Sequence, residues 1–137
     1  MNDIVPWDKC FQSQQIVGPP ASIDVTIGGG ELGRGFYMGD SIALSAAWAR
    51  GRYGGSSAVI RAEIEDVAYA QLNIKVLSLV QVQTTWRQLR PDRTTRTYLF
   101  GVDVAYGPLA TYHNASQHKF ESQRAASLLT QSSWDVL

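Results

Sequence analysis

Cysteine and histidine are scarce in this chain. Cys10 is the one cysteine among 137 residues, so an internal disulfide is excluded, and such usage suits a reducing compartment. His113, His118 and Cys10 lack the spacing of a metal-ligand set, so no metal is expected. Charge of one sign is also missing: twelve Lys plus Arg balance twelve Asp plus Glu. That removes a global pull toward nucleic acid or an anionic membrane, though a local basic patch stays open. No apolar run approaches the roughly 20 residues that span a bilayer. The first residues, Met1 to Trp7, carry no basic region followed by an apolar run, so no secretory signal is predicted. The expectation is a protein without a membrane partner, working in the cytoplasm of its own cell or of a target cell reached by another route. A Gly-x-Ser-x-Gly nucleophile turn is absent as well.

What is present is ordinary for a globular chain: 45% apolar and 18% charged residues, which argues against wholesale disorder. The length suits one domain over residues 1–137, burying roughly two-thirds of its unfolded surface. No internal repeat or linker divides it. Strand and loop signals dominate. Lys9 to Gln12, the alternating Ile23 to Ile27, Gly35 to Met38, Ala58 to Ile64, Leu72 to Leu79, Tyr98 to Ala105 and Gln117 to Glu121 read as strands. Asp40 or Ser41 can cap a helix reaching Arg50 before Gly51. Val80 to Leu89 reads as a helix stopped before Pro91, Arg90 to Arg96 as a polar loop, and Gln123 to Leu129 as a closing helix.

Gly28-x-Gly30-x-x-Gly33 matches a dinucleotide-binding fingerprint as a string. That mechanism needs a helix to begin at the turn, with its N-terminus facing the pyrophosphate. Gly33-Arg-Gly-Phe-Tyr follows instead, which is no helix start.

The most informative stretch runs Gly33-Arg-Gly-Phe-Tyr-Met-Gly-Asp-Ser-Ile-Ala-Leu-Ser-Ala-Ala-Trp48. It resembles the NAD-binding core of the ADP-ribosyltransferases, in the branch that includes diphtheria toxin and the poly-ADP-ribose polymerases. There a Gly-x-Gly-aromatic-Tyr strand leads into a helix carrying Ser and a second aromatic. The resemblance implies that Arg34, Gly35 and Phe36 border NAD, with Arg34 near the phosphates. It also implies that Tyr37 faces the nicotinamide ring, that Ser45 bonds the nicotinamide amide and that Trp48 stacks. The physical logic stands beside it: nicotinamide in NAD is a flat cation, and an aromatic face attracts it by about 0.5–2 kcal/mol. Ser45 and Trp48, three apart, share a helix face. On residue types alone these aromatics read as core and the glycines as turns.

Trp86-Arg-Gln-Leu-Arg90, Phe100 to Ala110 and Gln117-His-Lys-Phe120 extend the resemblance to a small bacterial ADP-ribosyltransferase-like family of unknown-function domains, over roughly residues 9 to 130. The implied fold is α/β (α+β): two small antiparallel sheets around an NAD cleft, with few helices. Two departures stand out. The branch carries a His triplet on its first strand, matched here by Gln12-Ser13-Gln14, so Gln12 and Ser13 are the candidates for ribose contact. It also carries a glutamate opening its late strand, matched here by Gln117. An amide can hold a ribose hydroxyl but offers no basic site near neutral pH. Glu121, four residues further, reads as a surface charge, and His118 faces away from Gln117. Asp103 reads as a structural hydrogen-bonder.

The implied activity is NAD-dependent mono-ADP-ribosyl transfer by a bacterial toxin or effector, with Gln117 and Tyr37 as catalytic candidates and NAD as substrate. The acceptor is open: protein, nucleic acid or small molecule. An antitoxin or immunity protein is an implied partner. An NAD glycohydrolase on the same fold and a non-catalytic binding module are the alternatives.

Overall fold

The computed structural model describes residues 9–15, 23–26, 28–41, 57–112 and 114–136. In chain order the strands are β1 (Lys9–Gln15), β2 (Gly29–Gly30), β3 (Gly33–Arg34), β4 (Phe36–Gly39), β5 (Ser57–Glu63), β6 (Ile74–Val76), β7 (Val104–Pro108), β8 (Ser116–Phe120) and β9 (Ser133–Val136). The helices are α1 (Asp66–Ala70), α2 (Leu79–Asp92) and α3 (Gln123–Thr130), with a 3-10 turn at Thr94–Arg96. The class is mixed α and β with few helices, as expected. There are two sheets of unequal size: seven strands in the order β6-β7-β8-β4-β1-β5-β9, and a two-stranded ribbon of β2 and β3. The larger sheet is not purely antiparallel, because β6 pairs parallel to β7. The connection between those two strands carries α2, the crossover that a parallel pair requires.

Period-two alternation organises the sheet centre. The rows Phe36–Phe120–Val104 and Met38–His118–Tyr106 cross β4, β8 and β7 on one face. They join Ile23, Val25, Tyr69, Ala125, Ala126 and Leu129 in the main apolar core. The intervening rows, Tyr37–Lys119–Ala105 and Gly39–Gln117–Gly107, form the opposite face. There a smaller cluster of Leu32, Leu77, Val82 and Ala105 packs with Tyr37 and Phe100.

Several boundaries differ from the sequence reading. Ile23 and Val25 are buried while Asp24 and Thr26 are exposed, so the alternation is real. Yet the segment is a turn: the Asp24 carboxylate accepts from Thr26 N at 2.8 Å, a local bond that displaces a strand ladder. Of Leu72 to Leu79 only Ile74–Val76 is strand. Ser78 instead caps α2, accepting from Gln81 N at 3.2 Å while Gln81 Oε1 accepts from Ser78 N at 2.8 Å. That helix does not stop before Pro91 but reaches Asp92, ending at Arg93 in left-handed backbone with φ 58°. The helix is one turn from its end there, and Thr94 Oγ1 donates to the Leu89 carbonyl at 3.3 Å. The expected polar loop at Arg90 to Arg96 is thus helix end and 3-10 turn. The expected strand from Tyr98 begins only at Val104, because the preceding backbone bonds Glu121 instead. Strand β9 and helix α1 had no reading from the sequence. The helix expected up to Arg50 lies outside the described residues. Asp40 accepts from Ser116 N at 3.1 Å, joining β4 to β8.

Candidate functional site

The polar rows of the sheet collect Gln117, Tyr37 and Lys119 on one face. Gln117 is 4% exposed. Its Nε2 donates to Glu31 Oε1 at 3.0 Å and to the Pro108 carbonyl at 3.2 Å. Two acceptors on one side fix the amide, since the flipped orientation would set oxygen against oxygen. Gln117 Oε1 then remains as the acceptor that the side chain offers.

Glu31 sits at the tip of the β2–β3 ribbon, between the paired Gly30 and Gly33. Its carboxylate accepts from Ala110 N at 2.7 Å, Thr111 N at 3.3 Å and Thr111 Oγ1 at 2.9 Å, besides Gln117. Sequence reasoning missed it. A lone acid among glycines reads as a solvated turn residue, and nothing along the chain links it to position 117.

Tyr37 plugs this ribbon from below. Its hydroxyl accepts from Leu32 N at 3.1 Å and donates to the Gly33 carbonyl at 2.5 Å. Burial raises its pKa, and the Glu121 and Glu31 charges add to that against the Leu32 N–H bond, so the phenol stays protonated. A Cβ on Gly30 would lie 2.9 Å from the Tyr37 ring, so glycine here permits a close approach within the protein itself. Gly33 has φ 101°, a backbone state that favours glycine.

Lys119 is fully buried beside Tyr37 on the same face. Its Nζ donates to Glu121 Oε2 at 2.5 Å, Leu32 O at 2.7 Å and Tyr98 O at 3.1 Å. It also lies 5.0 Å from the Phe100 ring centre. Burial pulls its pKa down, and the Glu121 carboxylate opposes that shift. Glu121 is therefore not a surface charge. It is 7% exposed and accepts from Phe100 N at 2.9 Å and Gly101 N at 3.1 Å. Its cation partner and these two donors are what allow a glutamate to be buried.

The remaining candidates divide. Gly35 is packed so closely that a Cβ would meet Lys119 Cγ at 2.7 Å. Arg34 donates its backbone N–H to Tyr98 O at 2.9 Å, and its buried Nε has no hydrogen-bond partner among the described residues. Phe36 packs into the main apolar core, on the face away from Gln117. Gln12 and Ser13 lie on β1, the strand next to β4, with Phe11 paired to Gly39 and Gly39 to Gln117. Ser45 and Trp48 lie outside the described residues. His118 is fully buried on the apolar face, and burial lowers its pKa to about 3 against a Met38 backbone bond, so it is neutral at pH 7. Asp103 is structural, accepting from Asn73 N at 2.7 Å and Ser122 Oγ at 2.5 Å.

Elsewhere, a wide depression of about 460 Å³ is lined by Glu63, Ile64, Glu65, Asp66, Val67 and Ser133. Its carboxylates would repel an anionic pyrophosphate, and it contains no site residue expected from the sequence. Among the described residues no group of three or more His, Cys, Asp or Glu is arranged to hold a metal ion, and no helix is long and apolar enough to cross a membrane. No family model and no curated protein matches the chain.

Proposed function

We propose that the polar face of β8 and β4, beside β1, binds NAD and that the protein transfers a single ADP-ribose unit from it. One observation carries this reading. Three of the positions that carry the resemblance, Gln12, Tyr37 and Gln117, far apart in sequence, lie on three adjacent strands, β1, β4 and β8. Gln117 and Tyr37 stand on one face of that trio. In the proposed complex Gln117 Oε1 accepts from a hydroxyl of the nicotinamide ribose. The Tyr37 ring contributes a flat apolar surface, while its hydroxyl holds the ribbon rather than moving a proton. When the ribose–nicotinamide bond breaks, the electron pair leaves with nicotinamide and C1′ becomes cationic. The acceptor nucleophile then attacks C1′ and loses a proton. An amide at position 117 cannot act as a general base toward a sugar hydroxyl, which favours one unit over a polymer. A toxin or effector role, with an immunity partner covering this face, rests on the resemblance alone.

The test is to incubate the pure chain with NAD and measure free nicotinamide, with and without cell extract. Label transfer to an extract component is the expected result. Release without any acceptor would favour NAD hydrolysis, and no turnover would favour a non-catalytic binding module.

A further inference from the structure

The amide of Gln117 has a carboxylate directly behind it. Glu31, 86 residues away in sequence, accepts from Gln117 Nε2 at 3.0 Å. Three other donors, all from Ala110 and Thr111, hold the same carboxylate. Glu31 is therefore fixed independently of Gln117, and it is the rigid member of the pair. An amide that donates to a carboxylate is polarised, with more negative charge on its oxygen.

We propose that Glu31 is a positioning and charge-bearing partner of Gln117: it aims Gln117 Oε1 at a ribose hydroxyl and supplies, through the amide, the negative potential that glutamine alone lacks. This rests on the NAD reading of the same face. As nicotinamide departs with its electron pair, the positive charge left on the ribose is stabilised by a fixed anion one residue removed, with no proton transferred. A purely structural Glu31 would only tie the ribbon tip to residues 110–111.

The two roles diverge in a charge-swap experiment. Gln117→Glu alone would set two carboxylates in contact, where both cannot readily ionise. Its turnover should be poor at neutral pH and rise on acidification, as the pair comes to share a proton. Exchanging the groups, Glu31→Gln with Gln117→Glu, restores one carboxylate and one amide across the contact. Nicotinamide release by each purified full-length variant is measured against NAD concentration at pH 5 to 8, with folding checked by near-UV circular dichroism. Glu31→Gln should lower kcat by about 10- to 1000-fold, the range for a lost transition-state contact, with KM little changed. The double variant should exceed Gln117→Glu alone at neutral pH by about tenfold, the signature of coupled residues, and stay below wild type because the position-31 NH2 then meets the Ala110 N–H.

A folded Glu31→Gln with wild-type kcat would overturn the role of Glu31 and leave the NAD reading standing. If that variant does not fold, Gln117→Glu decides: wild-type turnover without the acid-dependent rise would overturn it equally. A wild-type protein that neither binds nor cleaves NAD would overturn the reading and the inference together.

Discussion

The two faces of the β7-β8-β4 core are built on opposite plans. On one, Phe36, Met38, Val104, Tyr106 and Phe120 surround His118, an imidazole used as a neutral aromatic. On the other, Tyr37, Lys119 and Gln117 are each tied by hydrogen bonds to the β2–β3 ribbon. The apolar face gains stability from burial, which is tolerant of direction. The polar face needs every donor matched to an acceptor, because a buried polar group left unpaired costs stability while a fully paired network rigidifies the fold. The difference separates a half of the sheet held by apolar contact from a half held by a matched network of polar groups.

The sharpest way to break the polar face is Glu121→Ala. It strands the buried Lys119 ammonium and the Phe100 and Gly101 N–H groups. Removing one partner of a buried ion pair costs about 3–5 kcal/mol, and urea denaturation should show that loss. A change under 1 kcal/mol would mean that water reaches Lys119.

The apolar face should answer to pH instead. His118 has a pKa of about 3 in the folded protein against 6.5 for an ordinary imidazole. Between those values the unfolded chain binds more protons, so stability rises with pH through the window and is complete above it. Acidification from neutral toward pH 5 should cost roughly 2 kcal/mol, at about 1.4 kcal/mol per pH unit below the unfolded value. His118→Phe should flatten that part of the profile. An unchanged profile would place the acid sensitivity on other groups.

A finer cut is Tyr37→Phe, which keeps the ring and removes the bonds to Leu32 N and Gly33 O. It should cost about 1–2 kcal/mol of stability while leaving NAD affinity unchanged. A large loss of affinity with unaltered stability would assign the hydroxyl to the ligand instead of the ribbon.

Where stability comes from short-range pattern, the sequence was legible. The opposite facing of Gln117 and His118 in β8 and the helical segments of α2 and α3 could be read from local residues. So could the failure of the glycine fingerprint, since Gly33 opens a strand. The segment Ile23 to Val25 shows the limit: its alternation reports burial, but a two-residue side-chain bond decides against a strand. Long-range pairing was invisible. Glu121 reads as exposed because an isolated glutamate normally is; its burial depends on Lys119 and on a strap whose backbone donors carry no side-chain signature. The contact between Glu31 and Gln117 joins two neutral-looking positions across most of the chain.

The contrast between the faces is most directly tested by titrating NAD into uniformly 15N-labelled protein and following the backbone and Gln side-chain resonances. Saturable shifts should appear at the Gln117 side chain and the backbone of Glu31, Ala110 and Thr111, with Val104, Tyr106 and His118 nearly still. No saturable shift at millimolar NAD, or shifts confined to the acidic depression from Glu63 to Val67, would contradict the assignment of the polar face as the NAD site.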